Sequence, residues 1–228
     1  MQKISSREIA DVVRYSDTSV ILVEKLPMTD SSRFKVQYSV VDFVEKKIEP
    51  STKSAYLLKK FSSNFKRISE IIPNFVQCEA GVLYDRRVLV IYPNGEAGIF
   101  DREGELEWSG QFDYHQKPVK CLALEGKYFW SVCPQENCVI RYSAQNMKVD
   151  LRIGGVDAKT FTNPTHISFD GKDLFVCCDN NKVRRIDGSN YTASDYLNFN
   201  NRIDRFYKFG NYAVAVMSDG AYVLENNE

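Results

Sequence analysis

Short runs of Val, Ile, Tyr and Phe recur along most of the chain, and Gly- or Asn-containing turns separate them. Apolar and polar residues alternate within many of these runs, as they do in half-buried β-strands. Asn-Gly, Asp-Gly and Glu-Gly pairs between the runs are typical of tight hairpins. Helix-compatible spacing is found at residues 5–13, where Ser5 and Glu8 have capping-box spacing, and at residues 64–72 before Pro73. The pattern therefore predicts an all-β chain with little helix.

The strand runs form a repeating unit. Residues 118–132 and 164–176 share a proline, an alternating strand, a Gly turn and a second apolar strand, and a third strand follows at 138–143 and 182–187. The same order recurs from residues 9, 75 and 202. By subtraction, the second-strand valines at positions 90, 132, 176 and 216 are 42, 44 and 40 residues apart. This spacing is the length of a four-stranded propeller blade.

Five units fit the chain, so we predict a five-bladed β-propeller of four-stranded antiparallel blades. It is predicted to be one domain over residues 1–228, with blades at about 7–61, 74–112, 118–153, 164–198 and 202–225. The first blade is the longest, and its fourth strand is predicted near residues 55–60. The last blade has only three strands of its own. Residues 3–6 are therefore predicted to supply its outer strand and to close the ring.

One stretch carries a family resemblance. Residues 152–187 contain a Gly-rich approach, Pro164, an apolar strand, the Asp170-Gly171 turn, a second strand that ends in Asp179, and the run from Asn181 to Arg184. This order resembles an NHL repeat; the match is partial over 118–143 and faint elsewhere. The first two units lack the Pro and the Asp-Asn-x-Val stretch, so the resemblance implies propeller architecture and not a particular NHL function. Neither a Gly-His nor a Trp-Asp pair occurs, which argues against WD repeats.

Composition narrows the classes of partner. Thirty basic and thirty acidic residues give no net charge, so the chain lacks the basic field that nucleic acids and anionic membranes attract. We therefore predict no nucleic-acid or membrane partner, and we interpret Lys59 and Lys60 as protection of an outer strand edge. The polar N-terminus and the lack of an apolar run of about 20 residues predict a cytoplasmic protein. Oligomeric state stays open.

The cysteines lie among apolar residues, as buried thiols do. Cys133 and Cys138 bracket a predicted hairpin turn, and Cys177 and Cys178 are adjacent. Neither spacing is that of a zinc knuckle, and adjacent strand residues point to opposite faces. We therefore predict neither a disulfide scaffold nor a metal site, and no cofactor.

The candidate site is the mouth of the central channel, because loops at the ends of inner strands vary without disturbing blade packing. Alignment of the Gly turns at 126, 171 and 210 places Lys120, Thr165 and Asp204 at one level and Cys121, His166 and Arg205 at the next. Asp11 and either Gln77 or Glu79 fall near these levels. The predicted ligand-binding residues are Asp11, Glu79, Lys120, His166, Asp204 and Arg205. The simpler interpretation, which carries more weight, is that these groups satisfy one another and ordered water.

Three functional hypotheses follow. The first is a non-catalytic module that binds a protein or a small polar ligand at the channel mouth, with no catalytic residue assigned. The second is a propeller hydrolase of the glycosidase or lactonase type, in which Asp11, Glu79 and Asp204 supply the carboxylates. The chain has only 2 Trp residues, fewer than the sugar platforms of such enzymes need. The third is a structural or sensor domain of a larger assembly. His166, as a base or metal ligand or simply a polar strand residue, is the position to inspect first.

Overall fold

A computed structural model describes residues 1–27, 35–61 and 78–225. Over these residues, five four-stranded antiparallel sheets are arranged as a five-bladed β-propeller. In the first four blades the strands pair in chain order from the inner to the outer edge, and in the fifth the outer strand comes from the N-terminus. The predicted fold class is confirmed.

The first two blades contain β2 (Ile9–Arg14), β3 (Ser19–Leu26), β4 (Lys35–Asp42) and β5 (Lys47–Pro50), then β6 (Glu79–Val82), β7 (Val88–Ile91), β8 (Glu96–Phe100) and β9 (Leu106–Gln111). Helix α1 (Lys53–Phe61) follows the first blade, and a small ribbon of β10 (Asp113–Tyr114) and β11 (Lys117–Pro118) follows the second. The third and fourth blades contain β12 (Lys120–Glu125), β13 (Tyr128–Cys133), β14 (Cys138–Ser143) and β15 (Val149–Gly154), then β16 (Pro164–Phe169), β17 (Leu174–Cys178), β18 (Lys182–Ile186) and β19 (Ala193–Asn198). The fifth blade contains β20 (Ile203–Phe209), β21 (Tyr212–Met217), β22 (Gly220–Glu225) and the N-terminal strand β1 (Gln2–Ser5).

The N-terminal strand closes the ring, as predicted. Strand β1 pairs antiparallel with β22, so that Lys3 lies opposite Tyr222. The Lys3 ammonium lies 3.0 Å from the Asp219 carboxylate in the turn before β22. Gly220 has a φ of 133°, and a Cβ atom added there would lie 2.0 Å from the backbone oxygen of Ser5. The close approach of the two chain ends therefore requires glycine at this position.

The helix predicted at residues 5–13 is wrong. Strand β1 ends at Ser5 and β2 begins at Ile9. The Ser5 hydroxyl donates to Glu24 and accepts a hydrogen bond from the Arg7 backbone N–H at 3.0 Å. Its capping chemistry is therefore used in a turn between two strands, as serine side chains often are. The other helix candidate, residues 64–72, lies outside the described residues.

The fourth strand predicted at residues 55–60 is also wrong, because this segment is part of α1 and the fourth strand is β5. The Thr52 hydroxyl accepts a hydrogen bond from the Ala55 backbone N–H at 3.1 Å, which caps the helix. Tyr56, Leu57 and Phe61 are buried, so their spacing is that of a helix face. Lys59 and Lys60 therefore belong to a helix and protect no strand edge.

Among the residues that the structure describes, the hydrophobic core lies between the blades as five separate clusters. Phe129 packs between the second and third blades, and Phe175 between the fourth and fifth. Between the first and second blades, α1 inserts Tyr56, Leu57 and Phe61 alongside Ala10 of β2 and Ala80 of β6. The helix therefore fills the wedge between two inner strands and reaches the central channel.

Candidate functional site

The inner strands change register at the level predicted for the site. The ladder to the second strand shifts between Ile9 and Asp11 in β2, between Lys120 and Ala123 in β12, between Pro164 and His166 in β16, and between Ile203 and Arg205 in β20. Such β-bulges redirect side chains and are common next to functional sites. Strand β6, which carries Glu79, pairs regularly with β7.

Two of the six predicted ligand-binding residues, Lys120 and Asp204, line one pocket at the ends of the inner strands together with Thr165, which the alignment places at their level. Lys120 of β12, Thr165 of β16 and Asp204 of β20 lie around a cavity of about 270 Å³. We call it the mouth pocket. Loop residues complete its wall: Pro134, Asn163, Asp179 and Arg202. The alignment of Gly turns thus indicated which inner-strand side chains come together, whereas the loop contributions come from other parts of the blades.

Charges in the mouth pocket are unevenly partnered. The Arg202 guanidinium lies 3.2 Å from the Asp204 carboxylate and 3.6 Å from that of Asp179. The Asn163 side-chain amide also donates to Asp179. Lys120 is exposed and forms no ion pair with any described residue. The pocket therefore presents an acidic group already held by arginine and, beside it, an ammonium available to a ligand.

Asp11 lies one level deeper, and α1 supplies its partners. The Tyr56 hydroxyl donates to the Asp11 carboxylate at 2.6 Å, and the Lys60 ammonium contacts the same oxygen. Burial alone would raise the pKa of Asp11, but the charge of Lys60 and these hydrogen bonds more than offset burial and lower it. The Asp11 side chain is 13 % exposed. Asp11 is therefore a buried, ionised carboxylate near neutral pH and does not suit the role of proton donor.

Arg205 connects the fifth blade to the first. One guanidinium nitrogen donates to the Ala10 backbone oxygen at 2.8 Å. Burial would lower the pKa of Arg205, but nearby Tyr207, Glu79 and Asp11 raise it overall. The guanidinium therefore stays charged and lies near the carboxylates of Glu79 and Asp11. We call Asp11, Glu79, His166 and Arg205, which lie one level below the mouth pocket, the inner layer. Asp204, in contrast, has its ion pair with Arg202 in the mouth pocket, so the three predicted carboxylates do not share one environment.

His166 is buried in the same inner layer. It is 4 % exposed, and its Nδ1 atom has no hydrogen-bond partner among the described residues. The imidazole packs edge-to-face against the Tyr207 ring, with ring centroids 5.0 Å apart. Burial, with the charge of Arg205, lowers the pKa of His166 to about 3, and Asp11 opposes this shift. The imidazole is therefore neutral at physiological pH, and its orphaned nitrogen is a hydrogen-bonding position that no described group fills.

Backbone contacts continue around this layer. The Cys121 thiol donates to the Thr165 backbone oxygen at 3.3 Å, and the Ser168 hydroxyl donates to the Phe206 backbone oxygen at 2.6 Å. Cys121 itself has a φ of 65° within its bulge, a conformation that costs about 1–2 kcal/mol for a residue with a Cβ atom. Side-chain to backbone bonds thus join the third blade to the fourth and the fourth to the fifth.

The sequence did not indicate several residues of this arrangement. Tyr56 and Lys60 lie in a segment for which the repeat predicts a strand, although their i, i+4 spacing is a helix signal. Arg202 and Asn163 come from loops whose length does not fix where a side chain points. The other histidine, His115, is exposed on the β10–β11 ribbon and stacks on Tyr114 with ring centroids 4.0 Å apart.

Two general findings concern the described residues. No group of three or more His, Cys, Asp or Glu side chains lies close enough together there to hold a metal ion. In the same residues, no helix has the length and apolar character needed to cross a membrane.

Comparison with known proteins gives similarity of fold. No family model matches the chain, and no curated protein matches it. Among solved structures, Kuenenia stuttgartiensis hydrazine synthase aligns with a TM-score of 0.50 and 13% identity, over 64% of this chain and 45% of that one. The computationally designed Ika4 protein aligns with a TM-score of 0.46 and 15% identity, over 61% of this chain and 84% of that one. The Myceliophteria thermophila Cps50 (Swd1) β-propeller domain aligns with a TM-score of 0.47 and 14% identity, over 64% of this chain and 51% of that one. The first match concerns the fold alone, and the other two carry no argument. This chain spans about half the length of the hydrazine synthase and Cps50 chains.

Proposed function

We propose that this chain is a non-catalytic binding module, and that the mouth pocket is its ligand site. The observation that carries the proposal is the pairing pattern in that pocket. Arg202 already holds Asp204 and Asp179, whereas Lys120 on the same wall has no ion pair with a described residue. Three blades contribute to the pocket, so the ring fixes its shape, which favours binding by a preformed site.

The ligand class follows from the lining. A cavity of about 270 Å³ accommodates a small polar molecule or one side chain of a protein partner. A carboxylate on that ligand is expected to accept a charge-assisted hydrogen bond from Lys120, and the Thr165 hydroxyl can orient it. The Arg202 and Asp179 pair leaves carboxylate oxygens for a donor at the other end of the ligand. We therefore infer a ligand with an anionic end and a hydrogen-bond donor, such as a peptide carboxylate or an amino acid.

The inner layer supports binding over hydrolysis. A glycosidase needs two carboxyl groups about 5–9.5 Å apart around the reacting bond, one of them protonated. Asp11 is held ionised by Lys60 and Tyr56, and Asp204 belongs to the pocket level with Arg202. Asp11 therefore has a charge partner in place of the proton that an acid catalyst would hold.

The family assignment made from the repeat is part of the proposal. Residues 152–187 begin in β15, the outer strand of the third blade, and continue to the end of β18, the third strand of the fourth blade. This offset, in which one sequence repeat ends one blade and starts the next, suits a closed ring. We propose that the fourth blade is of the NHL type.

The test is a binding screen on the full chain. Thermal unfolding is followed with amino acids, dipeptides and simple dicarboxylates, since a ligand that binds only the folded state raises Tm. For any ligand found, the Lys120→Ala variant is expected to weaken binding by about tenfold, the loss of one charged hydrogen bond.

The matched control is Lys117→Ala, since Lys117 is also exposed but lies on the β10–β11 ribbon and does not line the pocket. Equal affinity losses in the two variants would show that Lys120 attracts ligands only through its general charge. A ligand that binds wild type and Lys120→Ala equally would place the site elsewhere.

A further inference from the structure

Two cysteines face each other at the end of one hairpin. Cys133 ends β13, Cys138 begins β14, and the two residues are register partners. Directly opposed residues of an antiparallel pair point to the same face, with Cα atoms about 4.5 or 5.5 Å apart. Both separations fall in the range of about 4.4–6.8 Å found in disulfides. The backbone therefore already holds these two side chains where a cross-strand disulfide needs them.

The two opposed thiols shift each other's pKa in opposite directions. The neighbouring Cys138 thiol is the main cause that lowers the pKa of Cys133 to about 7, and the Cys133 thiol in turn raises the pKa of Cys138. Cys133 is thus suited to act as the attacking thiolate and Cys138 as the resolving thiol.

The other cysteines lack this arrangement. Cys177 and Cys178 are neighbours in β17, so their side chains point to opposite faces of the sheet. The Cys121 thiol donates to a backbone oxygen of the next blade, and burial raises its pKa. In the ladders of the described residues, only Cys133 and Cys138 form an opposed cysteine pair.

We propose that Cys133 and Cys138 are a redox-active dithiol that closes to an intramolecular disulfide by exchange with a disulfide of the glutathione type. The Cys133 thiolate attacks one glutathione sulfur, the S–S bond breaks, and a glutathione thiolate leaves. Cys138 then transfers its proton to that thiolate and attacks the Cys133 sulfur of the mixed disulfide, which releases the second glutathione. The two cysteines lose two electrons together, and glutathione disulfide gains them.

Access to the pair passes through the connecting turn. Both sulfurs are fully buried, so the exchange has to follow a local opening of residues 134–137. This turn is short, and Asn137 holds it through a left-handed φ of 49° and a hydrogen bond from its backbone N–H to Pro134. We therefore expect slow exchange in the native state. The proposal does not rest on the proposed ligand site, although Pro134 of this turn also lines the mouth pocket.

The test equilibrates the full chain in glutathione buffers from reducing to oxidising, until the composition no longer changes. Acid stops the exchange, and alkylation in guanidinium then labels every remaining thiol, so burial hides none. Peptide mass spectrometry is expected to show Cys133 and Cys138 losing their labels together, with a linked peptide about 2 Da lighter than the sum of its reduced parts. The other cysteines are expected to stay labelled.

Single variants test whether the disulfide needs both thiols. Cys138→Ala and Cys133→Ala are each expected to abolish the disulfide, and any product is expected to stop at a glutathione adduct on the remaining hairpin cysteine. The double variant Cys177→Ala/Cys178→Ala is the matched control and is expected to form the disulfide as wild type does. Labels retained on both hairpin cysteines in the most oxidising buffer, or a disulfide between other cysteines, would overturn the proposal. Both outcomes are read from the wild-type chain, so they do not depend on the folding of any variant.

Discussion

His166 makes the stability of this fold depend on pH in a defined window. Its pKa is about 3 in the folded chain because burial and the charge of Arg205 disfavour the imidazolium, against an ordinary value of 6.5 when unfolded. Between these two values the unfolded chain binds more protons, so acid favours unfolding. The stabilisation is fully present above the unfolded value and is lost as the pH falls toward the folded one. Arg205 on β20 opposes protonation and Asp11 on β2 favours it, while Tyr207 packs on the ring.

The magnitude follows from the same two values. At about pH 5, the unfolded histidine is mostly protonated and the folded one is not, which shifts the unfolding equilibrium by about 30-fold. That factor corresponds to a loss of about 2 kcal/mol in the free energy of unfolding relative to pH 7.5. The full loss, reached below about pH 3, is about 5 kcal/mol. Burial would raise the pKa of Asp11 in the folded chain, but Lys60 chiefly lowers it overall, so Asp11 keeps its charge down to about pH 5 and does not add to this loss.

The assay is urea unfolding at about pH 7.5 and about pH 5 for three chains: wild type, His166→Gln and His115→Gln. Glutamine replaces imidazole with an uncharged polar group of similar size, so His166→Gln is expected to lose about 2 kcal/mol less than wild type on acidification. His115→Gln is the control, since His115 is exposed on the β10–β11 ribbon. It is expected to behave as wild type. The reasoning is refuted if His166→Gln keeps the full pH dependence of wild type.

Two further predictions concern ring closure and the inner layer. Gly220→Ala is expected to lower the free energy of unfolding by about 3 kcal/mol or more, measured by thermal unfolding, because the new Cβ atom meets the Ser5 backbone. Gly210→Ala is the control: nothing lies near Gly210, so backbone strain alone is expected to cost about 1 kcal/mol. Equal losses in the two variants would contradict the steric argument. Asp11→Asn is expected to lower the free energy of unfolding in urea by about 3 kcal/mol, because it leaves the Lys60 ammonium without its ion pair in a largely buried position. Asp17→Asn, which removes an exposed ion pair, is the control and is expected to change stability little. An equally small loss for Asp11→Asn would show that the Lys60 ammonium reaches solvent instead.

The repeat pattern was sufficient to predict the propeller, because each blade uses the same local chemistry. Strand alternation and Gly turns are local features of the chain, and their repetition about every 42 residues marks one blade after another. The last blade has only three strands in its own repeat, so the N-terminal segment was predicted to supply the fourth. The predicted residues 3–6 overlap the observed β1. The errors fell in the first blade, where a helix interrupts the repeat. Residues 55–60 are apolar enough for a strand, and only the helical spacing of Tyr56 and Lys60 marks them otherwise.

The candidate site was predictable in part for the same reason. Lys120, Thr165 and Asp204 occupy equivalent places in three repeats, so alignment placed them at one level, and they line one pocket. The state of the charged groups was not predictable, because it depends on side chains brought from distant segments. Asp11 and Lys60 are 49 residues apart, and Arg205 reaches Ala10 across 195 residues. No local pattern encodes such pairs.

The position of α1 explains why the inner layer tolerates so many buried charges. The inner strands offer their neighbours backbone groups and short side chains, as Cys121 and Ser168 do, and Arg205 of β20 is engaged with the Ala10 backbone. The cation that pairs with Asp11 comes from the helix, which enters the wedge between β2 and β6 with its apolar face and extends Lys60 along that face. With Lys60 in place, Arg205 remains free to hold the Ala10 backbone and to keep His166 neutral. The helix thus supplies the positive charge that keeps Asp11 ionised in a layer otherwise built from inner strands.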